Sequence, residues 1–321
     1  MRIVAALGGN ALIRRGEPLT VQTQRDNLVA AAQALAPLAR EHELVITHGN
    51  GPQVGLLALQ AAAYAARDAG ETTPLDVLDA ESEGMVGYLI EQALANAMPE
   101  RRVATLLTQI EVDAADPAFM APTKPIGPLY GAEQVVQLRA ATHWLFARDG
   151  AQWRRVVPSP RPRRVLELSV IELLLGQGVA VICGGGGGIP VVQREGLYHG
   201  VEAVIDKDHA SGLLARELHA DLLLLLTDVQ GVARDFGQPS MQWLHEQTPA
   251  SLAALELPAG SMGPKVQASV DFVEATGRRA AIGRLDQAGE LVLGSAGTQV
   301  RPDGHADLVE APSQWRLVVD P

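Results

Sequence analysis

Short apolar runs of strand length, several of them ending in glycine-rich segments, alternate along this chain with alanine- and leucine-rich stretches of helical periodicity. Strands are expected over residues 3–7, 44–47, 103–107, 179–183, 222–226 and 280–282, and helices over 22–40, 54–67, 75–97, 168–177, 208–218, 249–255 and 264–276. Runs without alternating polar residues read as strands buried on both faces. An α/β chain achieves this with a mostly parallel sheet covered by helices on each side. The 321 residues, 47% hydrophobic and 20% charged, suffice for one large α/β domain with an insertion or for two domains.

Residues 116–164 break the rhythm. Pro117, Pro122, Pro125, Pro128, Pro158, Pro160 and Pro162 crowd into this stretch, and residues 143–157 read as a polar hairpin turning at Asp149-Gly150. The stretch is expected to leave the main sheet as a small protruding unit inserted within a single 1–321 domain, with the alternation restarting at 164–168.

The glycine segments are Gly8-Gly9-Asn10, His48 to Gly55, Gly184 to Gly188 followed by Ile189-Pro190, and Ser261-Met262-Gly263-Pro264-Lys265. They fall where a strand hands over to a helix. Backbone N–H groups at a helix start attract anions, and glycine lets a ligand approach the backbone closely. In a doubly wound sheet, ligands gather at the carboxyl ends of the strands. Several such segments in one chain point to phosphate handling.

A net charge of −11 argues against a general nucleic-acid binder, so an anionic ligand must be held by local positive groups. The single cysteine, Cys183, fits a packing role in a reducing compartment. The chain opens directly on a buried-strand pattern, not an export signal, and its richest apolar stretch, 222–226, has only strand length. A cytoplasmic protein with no membrane or nucleic-acid partner is expected.

Phosphoryl transfer depends on positioning and on neutralising charge. The Gly-Lys-Ser/Thr ending of a P-loop, a kinase-type glycine loop and a His-Arg-Asp triplet are all missing from the sequence. The chain holds only three lysines, Lys124, Lys207 and Lys265, each beside proline, aspartate or glycine, and uses arginine elsewhere. A compact ammonium suits a moving phosphoryl oxygen, which marks these three as candidates. Asp206 can cap the helix that follows it, and His48 reads as a structural hydrogen-bonding residue and not a base.

In this order the motifs resemble the carbamate kinases of the amino-acid kinase superfamily over nearly the whole length. The likeness rests on residues 6–12, 48–55, 122–127, the glycine run through Val191, 202–208, Leu226-Thr227-Asp228-Val229 with Gly231-Val232, and 260–265. It implies a three-layer αβα fold, a homodimer, and reversible phosphoryl transfer between ATP and carbamate, used to make ATP from carbamoyl phosphate as in arginine metabolism. By the same likeness Lys207 and Lys265 stabilise the transferring group, Asp208 organises the lysines, and Lys124 reaches in from the protruding unit as a mobile lid residue. Gly9, Asn10, Gly49, Asn50, Gly51, Gly186 and Gly187 then fall on the carbamate side. Gly8, Gly185, Thr227, Asp228, Met262, Gly263 and Lys265 fall on the nucleotide side. Magnesium is expected to arrive on ATP or ADP, since no carboxylate cluster has the spacing of a dedicated cage. The family usually places a small residue before four glycines, and Gly184 stands in for it.

Three rival readings remain. Another amino-acid kinase, with a larger substrate, commonly carries a first-strand lysine where this chain has Leu7. A nucleotide sensor without turnover would have no need of all three lysines and Asp208. A dehydrogenase would need Gly-x-Gly-x-x-Gly after the first strand, which this sequence lacks.

Overall fold

The computed structural model describes residues 1–14, 16–68, 72–255, 257 and 262–303. Gly260 and Ser261, which open the last glycine segment, lie outside them. The chain begins β1 (Arg2–Leu7), α1 (Val21–Glu41), β2 (Glu43–His48), α2 (Gly51–Asp68), α3 (Leu75–Ala97) and β3 (Val103–Thr105). It continues through β4 (Gln109–Val112), β5 (Lys124–Tyr130), α4 (Ala132–Ala141), β6 (Leu145–Asp149), β7 (Gln152–Val157) and β8 (Pro162–Val165). Next come α5 (Leu168–Gly176), β9 (Ala180–Ile182), β10 (Ile189–Arg194), β11 (Leu197–Gly200), α6 (Lys207–Glu217) and β12 (Leu222–Thr227). The described part closes with β13 (Val232–Arg234), β14 (Gln242–Leu244), β15 (Glu246–Gln247), α7 (Pro249–Ala253), α8 (Met262–Thr276), β16 (Arg279–Arg284), α9 (Ala288–Leu293) and β17 (Thr298–Val300).

Eight strands form the central sheet in the order β15-β17-β16-β12-β1-β2-β9-β3. All neighbours run parallel except β16 and β17. Ile3 to Leu7 of β1 are fully buried, as the unbroken apolar run requires of a strand covered on both sides. Successive side chains of a strand point to opposite faces. Val4 and Ala6, with Val45, Leu223 and Leu225, join Ile171, Leu214, Val266 and Phe272 from α5, α6 and α8 in one core. Ile3, Ala5 and Leu7, with Leu44, Ile46 and Leu224, join Leu28, Leu35, Val86, Ile90 and Leu291 from α1, α3 and α9 in another. The result is a three-layer αβα sandwich. Each large aliphatic side chain taken from water contributes roughly 1.5–3 kcal/mol to holding it together.

The expected strand 103–107 is shorter in the structure. The Leu106 N–H still reaches the Ile182 carbonyl at 2.9 Å, but Leu107 is exposed and the chain bends so that the Thr108 N–H meets Glu83. A second sheet, β11-β10-β4-β8, lies beside this bend. Within the proline-rich stretch, β5, β7 and β6 form a small antiparallel sheet, and β6 and β7 meet across the Asp149-Gly150 turn, with Gly150 at φ +60°. Strand β8 pairs back to β4 in the second sheet. The small sheet rests on α2 at an unusually close approach, because a Cβ on Gly55 would lie 2.0 Å from the Cα of Gly127. Among the described residues, no helix is long and apolar enough to cross a membrane.

Candidate active site

A cavity of about 1180 Å³ opens where β1, β2 and β12 end. Strand ends, helix starts and the small sheet all contribute to its wall, as expected for a doubly wound sheet. The wall carries Arg14, Lys124, Arg154, Lys207, Lys265 and Arg284 against Asp206, Asp208, Asp228 and Asp286. A chain of net charge −11 has thus gathered an excess of cations in one hollow.

The three lysines meet here. Asp206 caps α6 by accepting the Asp208 N–H at 3.0 Å, which fixes the first turn of the helix. That turn carries Lys207 and Asp208. One oxygen of Asp208 accepts from Lys207 at 2.6 Å, and the other accepts from Lys265, in the first turn of α8, at 3.0 Å. Lys124, at the start of β5, donates to Asp206 at 2.7 Å. Asp208 is 4% exposed and Lys265 9%, so the Asp208 pairs act in a weakly screened interior.

The pKa shifts follow from this layout. Burial alone would raise Asp208, but the charges of Lys207 and Lys265 outweigh it and hold the carboxyl below its usual range. For Lys207 burial works downward, and Asp208 more than offsets it. Lys265 is pulled down by burial first and by the Lys207 charge second, against the pull of Asp208. Asp206 resists burial in the same way through Lys124, and its carboxyl also stays below the ordinary range. Two carboxylates thus hold three ammonium groups around one space, an arrangement able to stabilise charge on a phosphoryl group in transit.

Gly8, Gly9, Asn10, Gly49, Asn50, Gly51, Gly186, Thr227, Asp228 and Met262 all line the same cavity. Gly185, Gly187 and Gly263 stand outside its wall. The Gly185 N–H is donated to the buried carboxyl of Glu83 at 2.8 Å, and the Gly187 N–H closes a turn onto the Gly184 carbonyl at 3.1 Å. Asn10 and Asp228 were assigned to opposite ligand sides, yet they touch, with the Asn10 amide donating to Asp228 at 2.6 Å. Lys207 packs its stem beside Gly49, where an added Cβ would come within 3.4 Å of the lysine Cδ.

His48 is fully buried, and burial above all pushes its pKa down to about 4. Its Nδ1 faces the Gly49 carbonyl at 3.2 Å. It is a neutral structural histidine, as read from the sequence. Cys183 is packed in the core with its thiol pushed up by burial.

Sequence reading missed several residues. Asp206 was given a cap and nothing more, although its pairing with Lys124 is the contact that ties β5 to the site. Arg284 and Asp286 pair with each other at the carboxyl end of β16, where the same strand-end reasoning would have found them. Asp79, Ser82 and Glu83 are buried behind the glycine run, and their signal was polar residues at i, i+3 and i+4 on the helix face shared with Leu75, Leu78, Val86 and Ile90.

Residues 1–284 match the model of the amino acid kinase family. The chain is 53% identical over 302 residues to the carbamate kinase of Rhizobium meliloti, covering 93% of this chain and 92% of that one. It is 51% identical over 304 residues to the carbamate kinase of Haemophilus influenzae, covering 94% and 96%. Among solved structures, the carbamate kinase of Giardia lamblia bound to AMP-PNP superposes with a TM-score of 0.86 at 39% identity, covering 94% of this chain and 98% of that one. The fold, the gathered lysines and these likenesses agree, and the chain belongs to the amino acid kinase family and, within it, to the carbamate kinases.

Proposed function

We infer that the protein transfers a phosphoryl group reversibly between ATP and carbamate. In the ATP-forming direction the bond from phosphorus to the carbamoyl oxygen breaks and a bond to the terminal oxygen of ADP forms. The observation that carries this reading is the convergence of Lys124, Lys207 and Lys265 on Asp206 and Asp208 at the wall of one cavity. Lys207 and Lys265 neutralise the group in transit and Asp208 holds them apart at fixed positions. Asn10, Gly49, Asn50, Gly51 and Gly186 supply the carbamate end, and Thr227, Asp228 and Met262 the nucleotide end. Magnesium enters bound to the nucleotide phosphates, because Asp206 and Asp208 already face lysines and Asp228 faces Asn10. The family likeness supports a homodimer working in the cytoplasm on carbamoyl phosphate from amino-acid breakdown.

Purified protein given carbamoyl phosphate, ADP and magnesium is expected to make ATP in a coupled assay. Normal ADP binding without transfer in either direction would replace this reading with a nucleotide sensor.

Lys124 belongs to the small sheet, which we propose acts as a lid over the open strand ends, excluding water from a labile substrate. Lys124→Ala is expected to lower turnover and weaken carbamoyl phosphate binding while leaving ADP affinity nearly unchanged. Calorimetric titration with ADP beside steady-state kinetics checks this. Values within roughly 0.5 kcal/mol of wild type on every parameter would make Lys124 an ordinary surface charge.

A further inference from the structure

Helix α3 turns three polar side chains, Asp79, Ser82 and Glu83, into the interior, where none is more than 1% exposed. Buried polar groups are normally held by partners, and the partners here come from the Asn50 loop, the glycine run and Thr108. Asn50 donates through Nδ2 to Ser82 Oγ at 2.7 Å and to Asp79 Oδ1 at 3.2 Å. Glu83 receives the Gly185 N–H on one oxygen at 2.8 Å and the Thr108 N–H on the other at 3.2 Å. Thr108 in turn accepts the Gly184 N–H on Oγ1 at 2.9 Å, and its carbonyl accepts the Ile189 N–H at 2.8 Å.

The glycine run is thereby fixed at both ends. Gly187 and Gly188 donate back to the carbonyls of Gly184 and Gly185. Gly186 alone in the run has an N–H that finds no acceptor among the described residues, and it alone lines the cavity. It sits at φ +71° against the Asn50 side chain, where an added Cβ would fall 2.2 Å from Nδ2. Gly186 and Asn50 are therefore located together, and α3 holds both from behind.

We propose that Glu83 is a positioning residue for phosphoryl transfer, bracing Gly185 so that the neighbouring Gly186 amide is held toward the carbamoyl phosphate end of the cavity. The proposal rests on the reading that Asn50 and Gly186 serve that end. Burial pushes the Glu83 carboxyl up to about 8 against the two N–H bonds that favour its ionised form, and burial raises Asp79 as well. The helix reaches the site without lining it, so its effect must pass through the loops.

The test is a steady-state comparison of Glu83→Ala, Glu83→Asp and Glu83→Gln, with Asn50→Ala as the direct-contact reference and thermal melting as a check of folding. Glu83→Asp draws the carboxyl back by one methylene, so it separates positioning from folding if the alanine variant does not fold. Both Glu83→Ala and Glu83→Asp are expected to raise KM for carbamoyl phosphate at least tenfold while KM for ADP stays within twofold. Glu83→Gln keeps an acceptor for the Gly185 N–H but turns its NH2 toward the Thr108 N–H, and is expected to recover part of that loss. Equal changes for both substrates, no change for either, or a glutamine variant as impaired as the alanine one would overturn the proposal. If Asn50→Ala raises KM for carbamoyl phosphate and the Glu83 variants do not, the site assignment stands and the positioning role falls. If Asn50→Ala leaves that KM unchanged, the assignment falls and takes the positioning role with it.

Discussion

Lys265→Ala and Lys207→Ala are each expected to cut turnover by roughly 10²- to 10³-fold, the equivalent of about 3 to 4 kcal/mol of transition-state stabilisation lost with one preorganised charge. Both ammonium groups are held by Asp208 at fixed positions on the cavity wall, so each charge is already in place when the phosphoryl group moves. The loss should fall on kcat more than on KM for ADP, because the charge matters most while the phosphoryl group is between donor and acceptor. Arg194→Ala, an exposed site on β10 away from the cavity wall, serves as the control and should stay within about 0.5 kcal/mol of wild type. Steady-state kinetics in the ATP-forming direction decides the matter. A lysine variant with near-normal kcat would leave the catalytic group.

Asp208→Asn should damage both activity and stability. The carboxylate is the common partner of the buried Lys265 and the largely buried Lys207, and removing one member of a buried charge group typically costs about 3–5 kcal/mol because the remaining charge is left uncompensated. Part of that cost is relieved if Lys265, whose pKa burial already lowers, sheds its proton. The pH dependence has a fixed sign. A carboxyl whose pKa is depressed in the folded protein stabilises it above the ordinary carboxylate range, and that contribution disappears as pH falls through the depressed value. The stability gap between wild type and Asp208→Asn should therefore be full near neutrality and narrow under acid conditions. Denaturant unfolding at neutral and acidic pH measures it. A gap that does not change with pH would assign the lost stability to packing and not to charge.

Sequence and tertiary structure settled different things about this protein. The apolar runs located β1, β2, β9, β12 and β16 to within a residue or two, because a strand buried on both faces is apolar throughout and the short length and flanking turn residues separate it from a buried helix. Local turn and cap chemistry likewise revealed the Asp149-Gly150 hairpin and the start of α6 at Asp206. The rarity of lysine marked Lys124, Lys207 and Lys265, and the order of the motifs carried the family resemblance. Pairing across the chain was another matter. Lys124 lies 82 residues from Asp206, Lys265 lies 57 from Asp208, and Glu83 lies 102 from Gly185. Such distances in sequence are closed by the strand order of the sheet, which no local pattern encodes. Burial also decided which amides of the glycine run were consumed by Glu83, Thr108 and the run itself and which one was left on the cavity wall. Sequence supplied the chemical groups and the period of each element, whereas the charge state and availability of each group were set by what packed against it.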